Sequence, residues 1–261
     1  MFFQNITSPL IEVFLLFISL NDNLFNQINM LYNYWFIQLK FPNYGILGKA
    51  KFSEFVYNKS LNKNIPKSWI TQTLLNNSLS KVVKPGVHRF NYKTYYATAN
   101  IINNEILDGS IISYEDRESR ANMQPIKHSV WFAKMKNSVK HLFITDNMDF
   151  MIKNSILSTG FCGLKCNEYS FEYIASFISN PNFEIKKNIL SHGATQEAIN
   201  NEDLSYIKII VPDNETLLNY HKITKPIFKK INENIILNRK LQEIKETLLP
   251  LLINGQVEID D

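Results

Sequence analysis

The chain has 261 residues, of which 45% are hydrophobic and 20% charged, so it can bury a sizeable core; 8 Gly and 9 Pro exclude a collagenous or loop-dominated chain. Two cysteines exclude a disulfide scaffold and point to a reducing, cytoplasmic setting. A net charge of +4 permits a polyanionic partner without requiring one.

The first apolar run, Ile11 to Leu20, is interrupted by Glu12 and ends at Asn21-Asp22-Asn23. A bilayer span needs about 20 apolar residues, and no basic segment precedes this run. Neither a signal peptide nor a membrane helix is expected. A soluble helix is expected instead, opening at Thr7-Ser8-Pro9 and stopping before Pro42. Phe17, Asn21, Leu24, Ile28, Leu31, Trp35 and Gln38 recur at spacings of four and three, which is a heptad seam. Residues 9–39 would span about 45 Å as a helix.

The middle of the chain reads as short strands and turns. Ser110 to Tyr114, Ser129 to Ala133 and Ile207 to Val211 have strand character, and Phe171 to Ile178 is a short amphipathic helix. Turn chemistry stands at Lys84-Pro85-Gly86, Leu107-Asp108-Gly109 and Asn180-Pro181-Asn182. A second long helix follows Val211-Pro212-Asp213 and runs to Leu249. Its expected seam is Ile223, Ile227, Lys230, Asn234, Leu237, Leu241, Ile244 and Leu248, with a kink at Pro226 and an end at Pro250 and Gly255. Asn234 takes a core-type position, as Asn21 does in the first helix, and a buried Asn can fix the register between partner helices. An ordinary helical hairpin core explains length and seam as well.

Catalytic patterns are absent. The chain has no P-loop, no methyltransferase glycine loop and no Asn-Pro-Pro-aromatic turn. Pro212-Asp213 with Glu243-Ile244-Lys245 imitates a nuclease signature, but its Glu and Lys fall on the long helix rather than on a core strand, so it reads as coincidence. The five histidines lack ligand spacing, and Cys162 and Cys166 form a lone Cys-x-x-x-Cys, so no metal is expected. A binding protein without a catalytic site is the expectation.

One stretch is chemically suggestive. From Arg117 to Lys165, eight Lys and Arg stand against three carboxylates, a local excess of five positive charges. Lys, Arg and small hydroxyls hold phosphates, while Arg, Asn and Gln read base edges. The candidate DNA-contacting residues are therefore Arg117, Arg120, Gln124, Lys127, Lys134, Lys136, Lys140, Ser158, Thr159 and Lys165. A solvated basic face is the plainer alternative.

Several strings, in order, resemble the specificity (S) subunit of type I restriction–modification systems. They are Asn33-Tyr34-Trp35-Phe36-Ile37-Gln38-Leu39, Ile65-Pro66-Lys67-Ser68-Trp69, Ile156-Leu157-Ser158-Thr159-Gly160-Phe161, and Gly193-Ala194-Thr195-Gln196-Glu197-Ala198-Ile199 with the following Pro212. Leu248 to Val257 resembles the family's closing string. The resemblance implies an α+β fold with a helix at 1–42, one target recognition domain at 43–212 and a long helix with its tail at 213–261. The two helices would pair as an antiparallel spacer, with Leu24, Ile28, Leu31, Trp35, Ile227, Asn234, Leu241 and Leu248 in the seam.

Full-length members carry two such domains, so the chain looks like a half-length form. The resemblance implies a cytoplasmic, non-catalytic reader of a bipartite site in double-stranded DNA, working as a homodimer or with another half subunit. Its partners would be methyltransferase (M) and nuclease–translocase (R) subunits. It needs no cofactor, since S-adenosylmethionine belongs to M. A truncated or decoy form that binds M or another half without reading DNA is the alternative. Gln196, lying in the shared closing string, is expected to be a structural hydrogen-bonding residue.

Overall fold

The computed structural model describes residues 2–40 and 54–253; the side chains of residues 2–10, 249, 252 and 253 lie outside that description. Helix α1 (Phe2–Tyr32) ends in a π-turn (Asn33–Ile37). Strands β1 (Phe55–Asn58), β2 (Lys63–Pro66), β3 (Ile70–Thr73), β4 (Ser80–Val82), β5 (Tyr92–Tyr96), β6 (Ile101–Ile102), β7 (Glu105–Ile106), β8 (Ser110–Ser113), β9 (Ala121–Met123), β10 (Ser129–Ala133) and β11 (His141–Ile144) follow. Then come α2 (Asp149–Asn154), β12 (Ser155–Ser158), β13 (Phe161–Cys166), α3 (Phe171–Ser179), α4 (Pro181–Leu190), β14 (Lys208–Val211) and α5 (Asn214–Ile253).

Two four-stranded sheets form the domain. One is antiparallel, in the order β11-β10-β13-β4; the other is mixed, in the order β8-β5-β12-β9, with β12 parallel to β5. β10 is buried at every residue, so it shows no in–out alternation. Trp131 is accommodated there because Gly163 lies opposite; a Cβ on Gly163 would come within 2.5 Å of the Trp131 ring. Asn180, expected only as a turn residue, accepts from Asn182 N at 3.0 Å and caps α4 ahead of Pro181.

The helices are antiparallel partners. Asn21 of α1 meets Ile231 and Asn234 of α5, and further out Phe14 O accepts from Asn238 Nδ2 at 3.4 Å. The first half of α5 also packs on the domain. One buried core therefore runs from Ile28, Trp35 and Phe36 through Trp69, Tyr173 and Phe183 to Tyr220 and Phe228, without a break between helices and domain. Phe36 is its hub, with ring centroids 4.7 Å from Tyr173 and 4.9 Å from Tyr220 in edge-on geometry. Such pairs are each worth about 0.5–1.5 kcal/mol beyond area burial. The hydroxyls of Tyr173 and Tyr220 donate to Ile210 O and Ser176 Oγ, so neither is left unsatisfied.

The helix limits and seams differ from expectation. Backbone helix starts at Phe2, so Ser8 and Pro9 lie inside α1 rather than at its cap. α5 continues through Pro250 to Ile253, since a proline there removes a single bond close to the helix end. Asn254 to Val257 of the closing string lie outside the described residues. In α1 and its π-turn, Ile28 and Trp35 are buried and Leu24 and Leu31 half-buried, but Phe25, Tyr32 and Phe36 are buried too, because α1 packs on α3 as well as α5.

In α5, Asn234 is buried and Ile227, Leu241 and Leu248 are half-buried, whereas Lys230, Leu237 and Ile244 are exposed. The inner face is Leu217, Tyr220, Thr224, Phe228, Ile231 and Ile235. A strict seven-residue reading drifts from a straight 3.6-residue helix, and the domain, not α1 alone, selects the buried face.

Candidate nucleic-acid interface

The antiparallel sheet fixes which loops share an end. β10 and β13 pair with Ala133 opposite Phe161 and Ser129 opposite Lys165. Lys134, just after β10, therefore lies beside Thr159 and Gly160, just before β13. Lys127 and Lys165 lie at the other end, about 16 Å away at 3.3 Å per strand residue. There Lys127 faces Asp146 at 3.7 Å and Lys165 stands opposite Lys81. The basic stretch is thus divided between two ends of the domain.

At the first end, backbone bonds lace the loops into one row. Thr159 N donates to Arg120 O at 2.8 Å, Lys134 N to Gly160 O at 2.9 Å, Ile199 N to Lys134 O at 3.0 Å and Lys136 N to Glu197 O at 2.9 Å. The 120, 159–160, 134–136 and 197–199 segments therefore continue hydrogen bonding beyond the strands, from the β9–β12 pair of the mixed sheet across to the β10–β13 pair of the antiparallel one. Adding His192, bridged to Ala198, makes five segments, about 20 Å across at 4.8 Å per step. Lys140 joins this end through its ammonium, which donates to Thr98 O at 2.6 Å. Arg120 is exposed, and Lys134, Lys136, Lys140 and Thr159 are half-exposed. Lys136 also pairs with Glu197 at 2.7 Å.

Three expected contact residues are engaged in bonds within the domain. Ser158 is fully buried, and its hydroxyl accepts from Gly160 N. Gln124 is tied to the main chain through Nε2, at 2.8 Å from Ile152 O, while its Oε1 accepts from Lys93 Nζ at 2.8 Å. Burial lowers the Lys93 amine below its ordinary value. Arg117 lies 3.9 Å over the Tyr114 ring and donates to Tyr114 O at 2.7 Å. Each was selected for side-chain chemistry, which cannot distinguish a polar group facing water from one satisfied inside.

The reverse holds for Gln196. It is exposed, and its side chain makes no hydrogen bond to a described residue. The segment around it is a tight hairpin closed by reciprocal His192–Ala198 bonds of 3.1 Å. Gly193 sits at φ +136°, where a Cβ would come 2.5 Å from Gln196 O.

Beneath the row lies a buried charged group that sequence reasoning missed. Lys187 of α4 is completely buried; Nζ donates to Ala133 O at 3.1 Å and Ser138 O at 2.8 Å. Its ion-pair partner is Glu184 at 2.7 Å, and Glu184 also meets His141 Nε2 at 3.0 Å. Burial raises the Glu184 carboxyl, but the bonds from His141 and Lys187 outweigh it and hold the group below the usual carboxylate value. Lys187 is lowered by burial, against the pull of Glu184. The trio pins both ends of the 134–140 loop that carries three half-exposed lysines. The spacing of Phe183, Lys187 and Leu190 already places the lysine on the apolar face of α4.

The nuclease-like string dissolves. Asp213 accepts from Ser68, Trp69 and Thr216 N at the start of α5, while Glu243 pairs with Arg239 a long way down the same helix. Cys162 and Cys166 are buried in β13. Among the described residues, no three His, Cys, Asp or Glu side chains are grouped to hold a metal, and no helix is long and apolar enough to cross a membrane.

No protein-family model matches the chain. Over 92 residues it is 33% identical to the type I restriction enzyme HindI specificity subunit of Haemophilus influenzae, covering 35% of this chain and 20% of that protein. Over 242 residues it is 24% identical to the type I restriction enzyme MjaIX specificity subunit of Methanocaldococcus jannaschii, covering 88% of this chain and 52% of that one. The chain resembles the specificity subunits of type I restriction enzymes. It spans from a fifth to about half the length of these curated relatives. Solved structures of such subunits are similar too. The S subunit from M. genitalium gives a TM-score of 0.47 at 14% identity, covering 93% of this chain and 55% of that one. The HsdS subunit from Thermoanaerobacter tengcongensis gives 0.46 at 19%, covering 71% and 48%.

Proposed function

We propose that the chain is a non-catalytic DNA-specificity subunit, a half-length reader that directs type I adenine methylation and restriction by partner M and R subunits. The observation that carries this reading is the pairing of a rigid basic loop row at one end of the domain with an antiparallel helix pair rooted in the same core. The row offers Arg120, Lys134, Lys136 and Lys140 to phosphate, which sets affinity and salt dependence. The helices hold the reading end at a fixed distance from whatever docks on them. Two copies, or this chain and another half, would then span a bipartite site with an unread gap.

Exposed apolar residues of α1 support assembly through the helices. Ile11, Val13, Leu15 and Leu16 are exposed, with Leu16 at 63%, which is unusual for a helix that ends its job as a surface element. S-adenosylmethionine would be held by the M partner, in the cytoplasm.

The test is methylation sequencing of a cell that carries the gene with its M partner, against the same cell lacking it. Loss of one bipartite adenine motif is expected. If every methylated motif survives the deletion, the reading fails. M binding without sequence-selective DNA binding would assign the chain to the decoy class instead.

A further inference from the structure

We infer that the hairpin tip Gly193–Glu197 is a docking finger for the sugar–phosphate backbone of duplex DNA, with Thr195 and Gln196 as its contact residues. The inference rests on the specificity-subunit reading and adds residues to it.

The tip is rigid. It is closed by the two His192–Ala198 bonds, tied to the neighbouring loop by Lys136 N–Glu197 O and Ile199 N–Lys134 O, and braced by the Lys136–Glu197 ion pair. At its base, Asp203 Oδ2 meets His192 Nε2 at 3.0 Å and accepts from Asn200 N at 2.7 Å. Yet the side chains of Thr195 and Gln196 make no hydrogen bond to a described residue. Ala194, Thr195 and Gln196 are exposed, and the backbone N–H groups of Gly193 to Glu197 donate to no described acceptor. Five consecutive free donors, a hydroxyl and a primary amide form an acceptor-seeking surface. It stands next to Lys134 and Lys136, so the acceptor it suits is anionic.

Shape narrows the choice. A narrow loop closed by one bridge, with small residues at its turn, fits a groove about 12 Å wide or lies along its rim. Backbone N–H groups and Thr or Gln side chains are common phosphate contacts that carry no sequence information. The lysine neighbours fit phosphate rather than base edges at this position. The finger would fix how the domain sits on the duplex, leaving base reading to other side chains of the row.

The experiment measures equilibrium binding of the full chain with its M partner to cognate and scrambled duplexes across a salt series. Thr195→Ala and Gln196→Ala are each expected to weaken both duplexes roughly ten-fold, with the cognate-to-scrambled ratio unchanged. Lys136→Ala should also reduce the salt slope by about 0.9. A duplex carrying a neutral methylphosphonate at the contacted phosphate should weaken the natural protein but not Gln196→Ala further. Gly193→Ala, which forces a Cβ against Gln196 O, should reproduce the affinity loss while the melting temperature of the two tip variants stays put. Unchanged affinity in both tip variants overturns the inference, as does a selective loss on the cognate duplex, which would make Gln196 a base reader. If the natural complex binds no duplex selectively, it is the specificity reading that falls.

Discussion

Asn234 Nδ2 donates to Asn21 Oδ1 at 2.8 Å across a sequence separation of 213 residues, and Asn21 Nδ2 reaches Ile231 O at 3.4 Å. This amide relay sits where α1 and α5 cross, at the end of the shared core. Asn234 is completely buried, so a slip of one helix along the other would strand its amide in apolar surroundings.

Replacing Asn234 with Ala should therefore cost about 1–2 kcal/mol, because Asn21 loses its buried donor. Changing Asn21 and Asn234 together to Leu should cost less than the sum of the single changes, and the register should loosen. Urea unfolding of the four proteins of the cycle measures the coupling. Additive single costs would show that the two amides do not act as a pair.

Lys187→Met should destabilise by about 3–5 kcal/mol, because it leaves the Glu184 carboxylate buried with half its partners. The double change Lys187→Met/Glu184→Leu should recover much of that. The same pair predicts an acid limb. Glu184 is held below its unfolded value, so its contribution is present above the unfolded pKa and is lost as pH falls through the lower folded pKa. Denaturant melts from pH 7 downward should show stability falling below about pH 4.5, near the ordinary carboxylate value. Glu184→Gln should flatten that limb.

The division of the basic stretch makes a sharp distinction between lysines. Lys134→Ala and Arg120→Ala should each lower the salt slope of duplex binding by about 0.9. Lys127→Ala and Lys165→Ala, at the far end of the sheet, should leave it unchanged. An equal effect from Lys165 would mean that the duplex lies along the sheet rather than across the loop row.

Burial pushes the Cys162 thiol up to about 12, and it also raises Cys166 well above the ordinary thiol value. At pH 8 neither should react with a thiol reagent in the native protein. Labelling should follow global unfolding, with an exchange rate that tracks denaturant. Fast labelling of native protein would show that β13 opens locally.

The elements with strong local signatures were legible in the sequence. The strand at Ser129 to Ala133, the helix beginning at Phe171 and both long helices were visible from periodicity and apolar runs, and Asn21 and Asn234 stood out as polar residues on apolar faces. The interface was far less legible. Arg117, Gln124 and Ser158 look like DNA contacts in one dimension, but Arg117 and Ser158 bond to near neighbours, Tyr114 and Gly160, while the Gln124 partner, Ile152, is brought close only by the fold. Lys127 and Lys134 are seven residues apart and look like neighbours, yet a single buried strand sets them at opposite ends of the sheet. Gln196 differs from expectation for the opposite reason: a tight hairpin around Gly193 turns it outward, and that hairpin is anchored by backbone bonds to Lys134 and Lys136, far earlier in the chain.

The loop row is stitched by main-chain groups, and main-chain groups are the same whatever side chain they carry. Residues such as Arg120, Thr159 and Lys134 can therefore be exchanged without unthreading the scaffold that presents them. A molecule built this way can acquire a new vocabulary through a few surface substitutions while its grammar, the spacing and order of the loops, stays intact.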